Sequence, residues 1–218
     1  MRISKERAAE NRAALIRAAS KLFRERGIDG VGVAEISKEA GLTHGALYAH
    51  FKSKEELALE ALSFGLDQVN AQMYAATVEG LPDLARFLDR YLSVETRNDF
   101  GGRCAIAASA SEIGRQDKPI SARFTEGYMV MVRAFERQIA ANDGGGDALA
   151  RAMVVVSTMV GSMAIARGAA KANPALSEQV LKAARLLVDE LMLAHPPAPA
   201  DAMPAVTPVE MAPHMPKH

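Results

Sequence analysis

Between Thr43 and Lys54 the chain gathers side chains suited to a polyanion: imidazoles at His44 and His50, a phenol at Tyr48, and ammonium groups at Lys52 and Lys54. A phenol and an ammonium bond or neutralise phosphate oxygens, which fixes register without reading sequence. Residues at the start of a groove-bound helix face base edges instead, the place of His44. Gly45 and Ala46 are small, so a helix carrying them can bring its backbone close to a groove. Charge is distributed in the same sense: residues 1 to 54 hold eleven Lys and Arg against six Asp and Glu, a net +5, while the rest of the chain carries −5. A basic end on an acidic body suits contact with a polyanion.

Other chemistry is hard to build from these residues. His44 and His50 do not share a helical face, so no metal site is expected. The run Gly144-Gly145-Gly146 lacks the Lys-Ser/Thr of a phosphate loop and follows no strand. Cys104, the single cysteine, has no base in prospect, because His195, His214 and His218 lie at or beyond the last helix. Neither catalysis nor a cofactor is expected.

The elements that must position the basic cluster are helices. Leu15, Ala18, Ala19, Leu22 and Phe23 form one face of a first helix that Gly27 ends. Two short helices follow, about residues 33–40 and 44–51, joined by Gly41-Leu42-Thr43. Gly41 sits where the chain must reverse and needs a positive φ; Leu42 plugs the angle and Thr43 is placed to cap the second helix, whose positive end favours phosphate. Ala46, Leu47 and Phe51 can pack inward, leaving His44, Gly45, Tyr48 and His50 outward. Ser53-Lys54-Glu55-Glu56 reads as a capping box: the Ser53 hydroxyl accepts from the Glu56 amide and the Glu56 carboxylate reaches the Ser53 N–H. A long helix runs from there to about residue 76. Two short helices joined by a glycine turn form the layout of a helix-turn-helix.

Residues from about 8 to 66 resemble the DNA-binding domain of the TetR/AcrR family of bacterial transcriptional regulators. The resemblance rests on Ala19, Leu22, Phe23, Gly27, Val33, Ile36, Ala40-Gly41-Leu42-Thr43, Gly45, Leu47-Tyr48, His50-Phe51, Ser53-Lys54 and Leu57. It implies that Tyr48 and Lys54 clamp phosphates and that His44 faces bases, with Thr43, Gly45, Ala46, His50 and Lys52 completing the contact surface. Arg2, Lys5, Arg7 and Arg12 are candidates for an arm that reaches the backbone or minor groove. Gly32, Val33 and Ala34 depart from the hydroxyl or basic residues common in the family at the start of the first short helix, so base reading should rest on the second.

The resemblance further implies an all-α chain: a three-helix DNA-binding domain over residues 1–54, a helical effector-binding and dimerisation domain over 55–195, and a Pro-rich tail over 196–218 without periodic pattern. The implied protein is a ligand-responsive regulator, a repressor released from a palindromic operator on double-stranded DNA, and a homodimer through its last two helices. Broad apolar stripes at Met153, Val156, Val160, Met163 and Ala164, and at Leu176, Val180, Ala184, Leu187 and Leu191, fit helices with two partners. An unknown small-molecule effector would meet Phe87, Tyr91, Cys104, Phe124, Tyr128, Met131, Met159 and Met163, each of which also suits ordinary core packing. Cys104 lies in a segment similar to one that some family members use to sense oxidants, and it equally suits a small buried apolar position. A second reading is a small-molecule or redox-sensing module whose basic end docks on a protein. One cysteine and no apolar leader suit the cytoplasm, and the uncharged stretch 152–166 reads as a buried helix, without a membrane partner.

Overall fold

Ser4 opens the first helix by accepting the Arg7 N–H on its hydroxyl, and the chain then stays helical to Arg26. The structure is a computed structural model that describes residues 4–78, 81–102, 105–143 and 147–193. Its helices are α1 (Lys5–Arg26), α2 (Val33–Glu39), α3 (His44–Tyr48), α4 (Lys54–Met73), α5 (Leu84–Tyr91), α6 (Val94–Asn98), α7 (Ala105–Ile113), α8 (Lys118–Asp143), α9 (Ala148–Ala169) and α10 (Pro174–Met192). Arg2, Arg103, Cys104, Gly144 to Gly146 and the tail fall outside the described residues.

The chain forms a head of α1 to α3 and a body of α5 to α10, and α4 belongs to both. Leu15, Leu22, Ile36, Leu47, Phe51 and Leu57 close the core of the head. Each such side chain contributes about 1.5–3 kcal/mol by leaving water. The buried stripe of α4, Leu57, Ala61, Leu66, Val69 and Met73, follows helical spacing and serves α1 first and α8 further on. Its crossing with α8 is close: a Cβ at Gly127 would stand 2.6 Å from the Leu66 methyls. Arg123 of α8 ties the two helices, donating to Ser63 Oγ and Asp67 Oδ1 at 3.0 Å each.

Two features lie outside what apolar periodicity predicts. Thr77–Val78 pairs antiparallel with Leu81–Pro82, a ribbon at the glycine-proline reversal whose two-residue strands are too short to show alternation. The short α6 also escapes the periodic pattern, because tertiary bonds define it. Arg97 of α6 donates to Ser177 Oγ of α10 at 2.9 Å, and Arg167 of α9 donates to the carbonyls of Thr96, Arg97 and Asp99.

Among the described residues, α9 alone is long and apolar enough to cross a membrane, with a mean hydropathy of 1.7 over its most apolar stretch. It packs between α8 and α10 instead. Ala152, Val155, Val156, Met159, Met163 and Ala166 turn inward, while Val154 and Ile165 stay exposed. The apolar stripe read along α10 divides in space. Ser177, Leu181, Ala184 and Val188 are buried, whereas Leu176, Leu186 and Leu187 face solvent.

Candidate nucleic-acid interface

The turn between α2 and α3 forms from its own backbone: Gly41 N–H donates to the Lys38 carbonyl and Leu42 N–H to the Ser37 carbonyl. Gly41 has φ +70, a conformation costing an L side chain roughly 1–2 kcal/mol. Leu42 is half-buried in the angle. Thr43 occupies the N-cap position with extended backbone, but its hydroxyl makes no cap bond and remains exposed.

Helix α3 is held from beneath by Leu47, which has no exposed surface, and by Phe51 just beyond it. His44, Gly45 and Tyr48 face solvent, while Ala46 and His50 are half-buried at its margins. Tyr48 is 56% exposed and meets the His44 ring edge-on at 5.8 Å, so the two rings form one outward ledge. This is not the half-buried setting of a core tyrosine.

The link to α4 presents the two lysines. Ser53 Oγ accepts the Glu56 N–H at 3.2 Å, as a capping box requires. The return bond differs from expectation: Glu56 Oε2 accepts from Lys52 N–H at 2.6 Å, not from Ser53 N–H, so the box reaches one residue further back. The Glu55 carboxyl is held below its ordinary range by the Ser53 hydroxyl and then by its own backbone N–H. Lys54 takes the first position of α4, where the helix dipole favours an anion. Its ammonium is therefore placed against the local field. Lys52 is exposed and Lys54 partly so, and among the described residues neither forms an ion pair.

The arm candidates separate. Lys5 is exposed and Arg7 pairs with Glu10 at 3.2 Å. Arg12 lies 5.0 Å over the Phe51 ring and pairs with Glu60 at 2.9 Å. It braces α1 against α4 and does not extend as an arm. Lys21 and Glu39 join α1 to α2 at 2.7 Å, a hydrogen bond that raises the lysine pKa and lowers the carboxyl pKa.

Comparison with known proteins agrees with this head. The sequence model of the family described as bacterial regulatory proteins, tetR family, matches residues 15–61, from within α1 into α4. Over residues 15–61 the chain thus carries a domain of the tetR family. It is 39% identical over 77 residues to the HTH-type transcriptional regulator TtgR of Pseudomonas putida, which covers 35% of this chain and 36% of that protein. The match thus spans about a third of that relative's length. The regulator LmrA of Bacillus subtilis is 26% identical over 174 residues, covering 77% of this chain and 92% of its own. The fold of the whole chain is shared with a TetR transcriptional regulator from Legionella pneumophila, with TM-score 0.69, 19% identity and coverage of 87% and 98% of the two chains. A TetR regulator from Chloroflexus aurantiacus has TM-score 0.69 and 24% identity, covering 85% and 97%.

In the body, the effector candidates do not gather at one place. Phe87 and Tyr91, themselves buried in the core, border a hollow of only about 10 Å³ with Val69, Gln72, Arg90 and Thr96. Met131, Met159 and Met163 are core residues with almost no exposed surface, and Phe124 and Tyr128 are half-buried on α8. Cys104 lies outside the described residues. Sequence reasoning missed Glu112 of α7, which meets the backbone of residues 28 and 29. No local pattern could have signalled a contact between residues so distant in the chain.

Proposed function

We propose that the chain is a ligand-responsive transcriptional regulator that binds a palindromic operator as a homodimer and acts as a repressor in the cytoplasm. The carrying observation is the ledge of His44, Gly45 and Tyr48 on the solvent side of α3, flanked by Lys52 and the against-dipole Lys54, within the TetR-family match. Tyr48, Lys54 and Lys52 take phosphates, while His44 with the small Gly45 and Ala46 meets base edges. Thr43 offers an uncommitted hydroxyl at the same edge, and His50 lies at its margin. A relative named as the repressor BepR of Brucella suis, 44% identical over 57 residues, supports the sign of regulation.

Two copies meet through α9 and α10 in this reading. The exposed Val154 and Ile165 of α9 and Leu176, Leu186 and Leu187 of α10 supply the apolar faces of a two-fold four-helix bundle. Binding two successive major grooves requires the two α3 helices to stand about 34–36 Å apart, one helical turn of DNA. An effector that binds better where this spacing is wrong lowers DNA affinity by linkage. The effector site in this reading opens beside Phe87 and Tyr91; Phe124, Tyr128, Met131, Met159, Met163 and Cys104, the other candidates, do not line that hollow. Sedimentation of the purified chain, with fluorescence anisotropy on duplex DNA at several salt concentrations, tests the whole. A dimer with steep salt dependence is expected, and a monomer indifferent to DNA at low salt defeats the proposal.

A further inference from the structure

Beside the hollow of Phe87 and Tyr91, and sharing Gln72, Phe87 and Arg90 with it, lies a second groove of about 90 Å³ between the end of α4 and α5. Its floor is apolar: Met73 and Phe87 are buried beneath it, and the small Ala75 and Ala76 complete it. The chain closes one end, where Asp83 N–H donates to the Ala76 carbonyl at 2.9 Å. Arg86 and Arg90 line the mouth. Both are exposed, both stand on α5 one turn apart, and among the described residues neither guanidinium has a hydrogen-bond or ion-pair partner. The nearby acids are engaged elsewhere. Asp83, which also lines the groove, accepts the Arg86 backbone N–H at 3.0 Å as the cap of α5, and Asp89 pairs with Arg185 of α10 at 2.8 Å.

Two like charges four residues apart on a helix repel each other, and Arg86, in the first turn of α5, also opposes the helix dipole. An anion in the groove would relieve both. We propose that the groove is the polar half of the effector site and that its ligand is a small carboxylate with an apolar body. The guanidinium groups of Arg86 and Arg90 present forked N–H donors that fit a carboxylate. Gln72 lines both groove and hollow and adds an amide donor on the inner side. Charge selects among anions: two guanidinium groups and the Asp83 carboxylate leave one positive charge in excess, which a carboxylate neutralises and a phosphate dianion overshoots. Met73 and Phe87 receive the apolar body, and a groove of this size suits a short chain or a single ring. The inference deepens the proposed function and rests on it for calling the ligand an effector.

The experiment titrates the purified full chain with hexanoate by ligand-observed NMR at low salt, beside hexanamide and hexyl phosphate. Hexanoate should bind with a Kd of about 1 mM or tighter, hexanamide about tenfold more weakly, and hexyl phosphate no more tightly than hexanoate. Arg86→Gln and Arg90→Gln should each weaken hexanoate about five- to tenfold. Arg115→Gln, at an exposed arginine beyond the end of α7, should leave it unchanged. Because Arg86 and Arg90 have no partner to lose, their variants should unfold thermally at an unchanged or higher temperature, whereas residues serving the fold would lower it and overturn the assignment. Hexanoate held no better than hexanamide, or held equally by the Arg86→Gln/Arg90→Gln double variant, would overturn the site, and tighter binding of hexyl phosphate would overturn the carboxylate. The titration needs no DNA, so a chain that binds no duplex defeats the proposed function while the site is still judged. A duplex held equally with and without saturating hexanoate would overturn the ligand's part as an effector.

Discussion

Replacing Lys54 with alanine should separate binding from stability, because the proposed phosphate contact and the residue's position in α4 set opposite roles in the two. Lys54 stands at the first position of α4, where a cation opposes the helix dipole, and the capping there is done by Ser53 Oγ, Glu56 and the Lys52 backbone. Lys54→Ala therefore leaves the cap intact and removes an unfavourable charge, raising stability by about 0.3–1 kcal/mol at low ionic strength. In the proposed dimer the same change removes one phosphate contact per subunit, two per dimer. At about 0.9 counterion per phosphate, the slope of log K against log salt falls by roughly 1.8. Between 50 and 200 mM salt the affinity lost by the unmodified chain should then exceed that lost by the variant by about tenfold. Anisotropy on any labelled duplex across that range measures the slope, and thermal unfolding measures the stability. An unchanged slope would refute the clamp, and a marked loss of stability would show that Lys54 serves the fold.

Gly41→Ala should cost roughly 1–2 kcal/mol in chemical denaturation. A Cβ there meets nothing within 4 Å, so the cost is purely conformational and Gly41→Asn should recover much of it. Leu187→Glu, at an exposed site on α10, should leave the helix content of the chain unchanged in circular dichroism while shifting sedimentation to the monomer. The Lys21–Glu39 pair sets a pH window. The depressed carboxyl gives stability that is present above its unfolded pKa and lost as pH falls through the lower folded value. The raised lysine gives stability present below its unfolded pKa and lost as pH rises through the higher folded one. Both side chains are exposed, so a double-mutant cycle at neutral pH should find a small coupling that disappears at low and at high pH, and a pH-independent coupling would contradict the pairing.

What the chain spells out locally, the structure repeats. Gly41 at positive φ, Gly27 after the last turn of α1 and Ser53 at the start of α4 each follow from one residue type and its immediate neighbours. Local chemistry was weaker on partners: it supplied Glu56 as an acceptor but not which amide it would take, since that depends on the path of the chain through Lys52 and Ser53. Apolar periodicity found α10 without separating Leu176 and Leu187 on its outer face from Ala184 on its inner one, because a pattern of hydrophobicity carries no label for what lies opposite. The same limit left Phe87 and Tyr91 grouped with methionines that proved to be core. Glu112 and the helix α6 were invisible for a further reason: each is defined by partners from distant parts of the chain, and no window of sequence contains them.

Four of the five residues of α3 take one side or the other, and Ala46 lies half-buried between them. Leu47 faces down and anchors the helix, while His44, Gly45 and Tyr48 face outward and carry none of the head's packing. If this surface reads DNA as proposed, its preference can be changed by exchanging surface groups, with the scaffold little affected. Such a helix can drift between targets over evolution, or be re-aimed by an engineer, at almost no cost in folding.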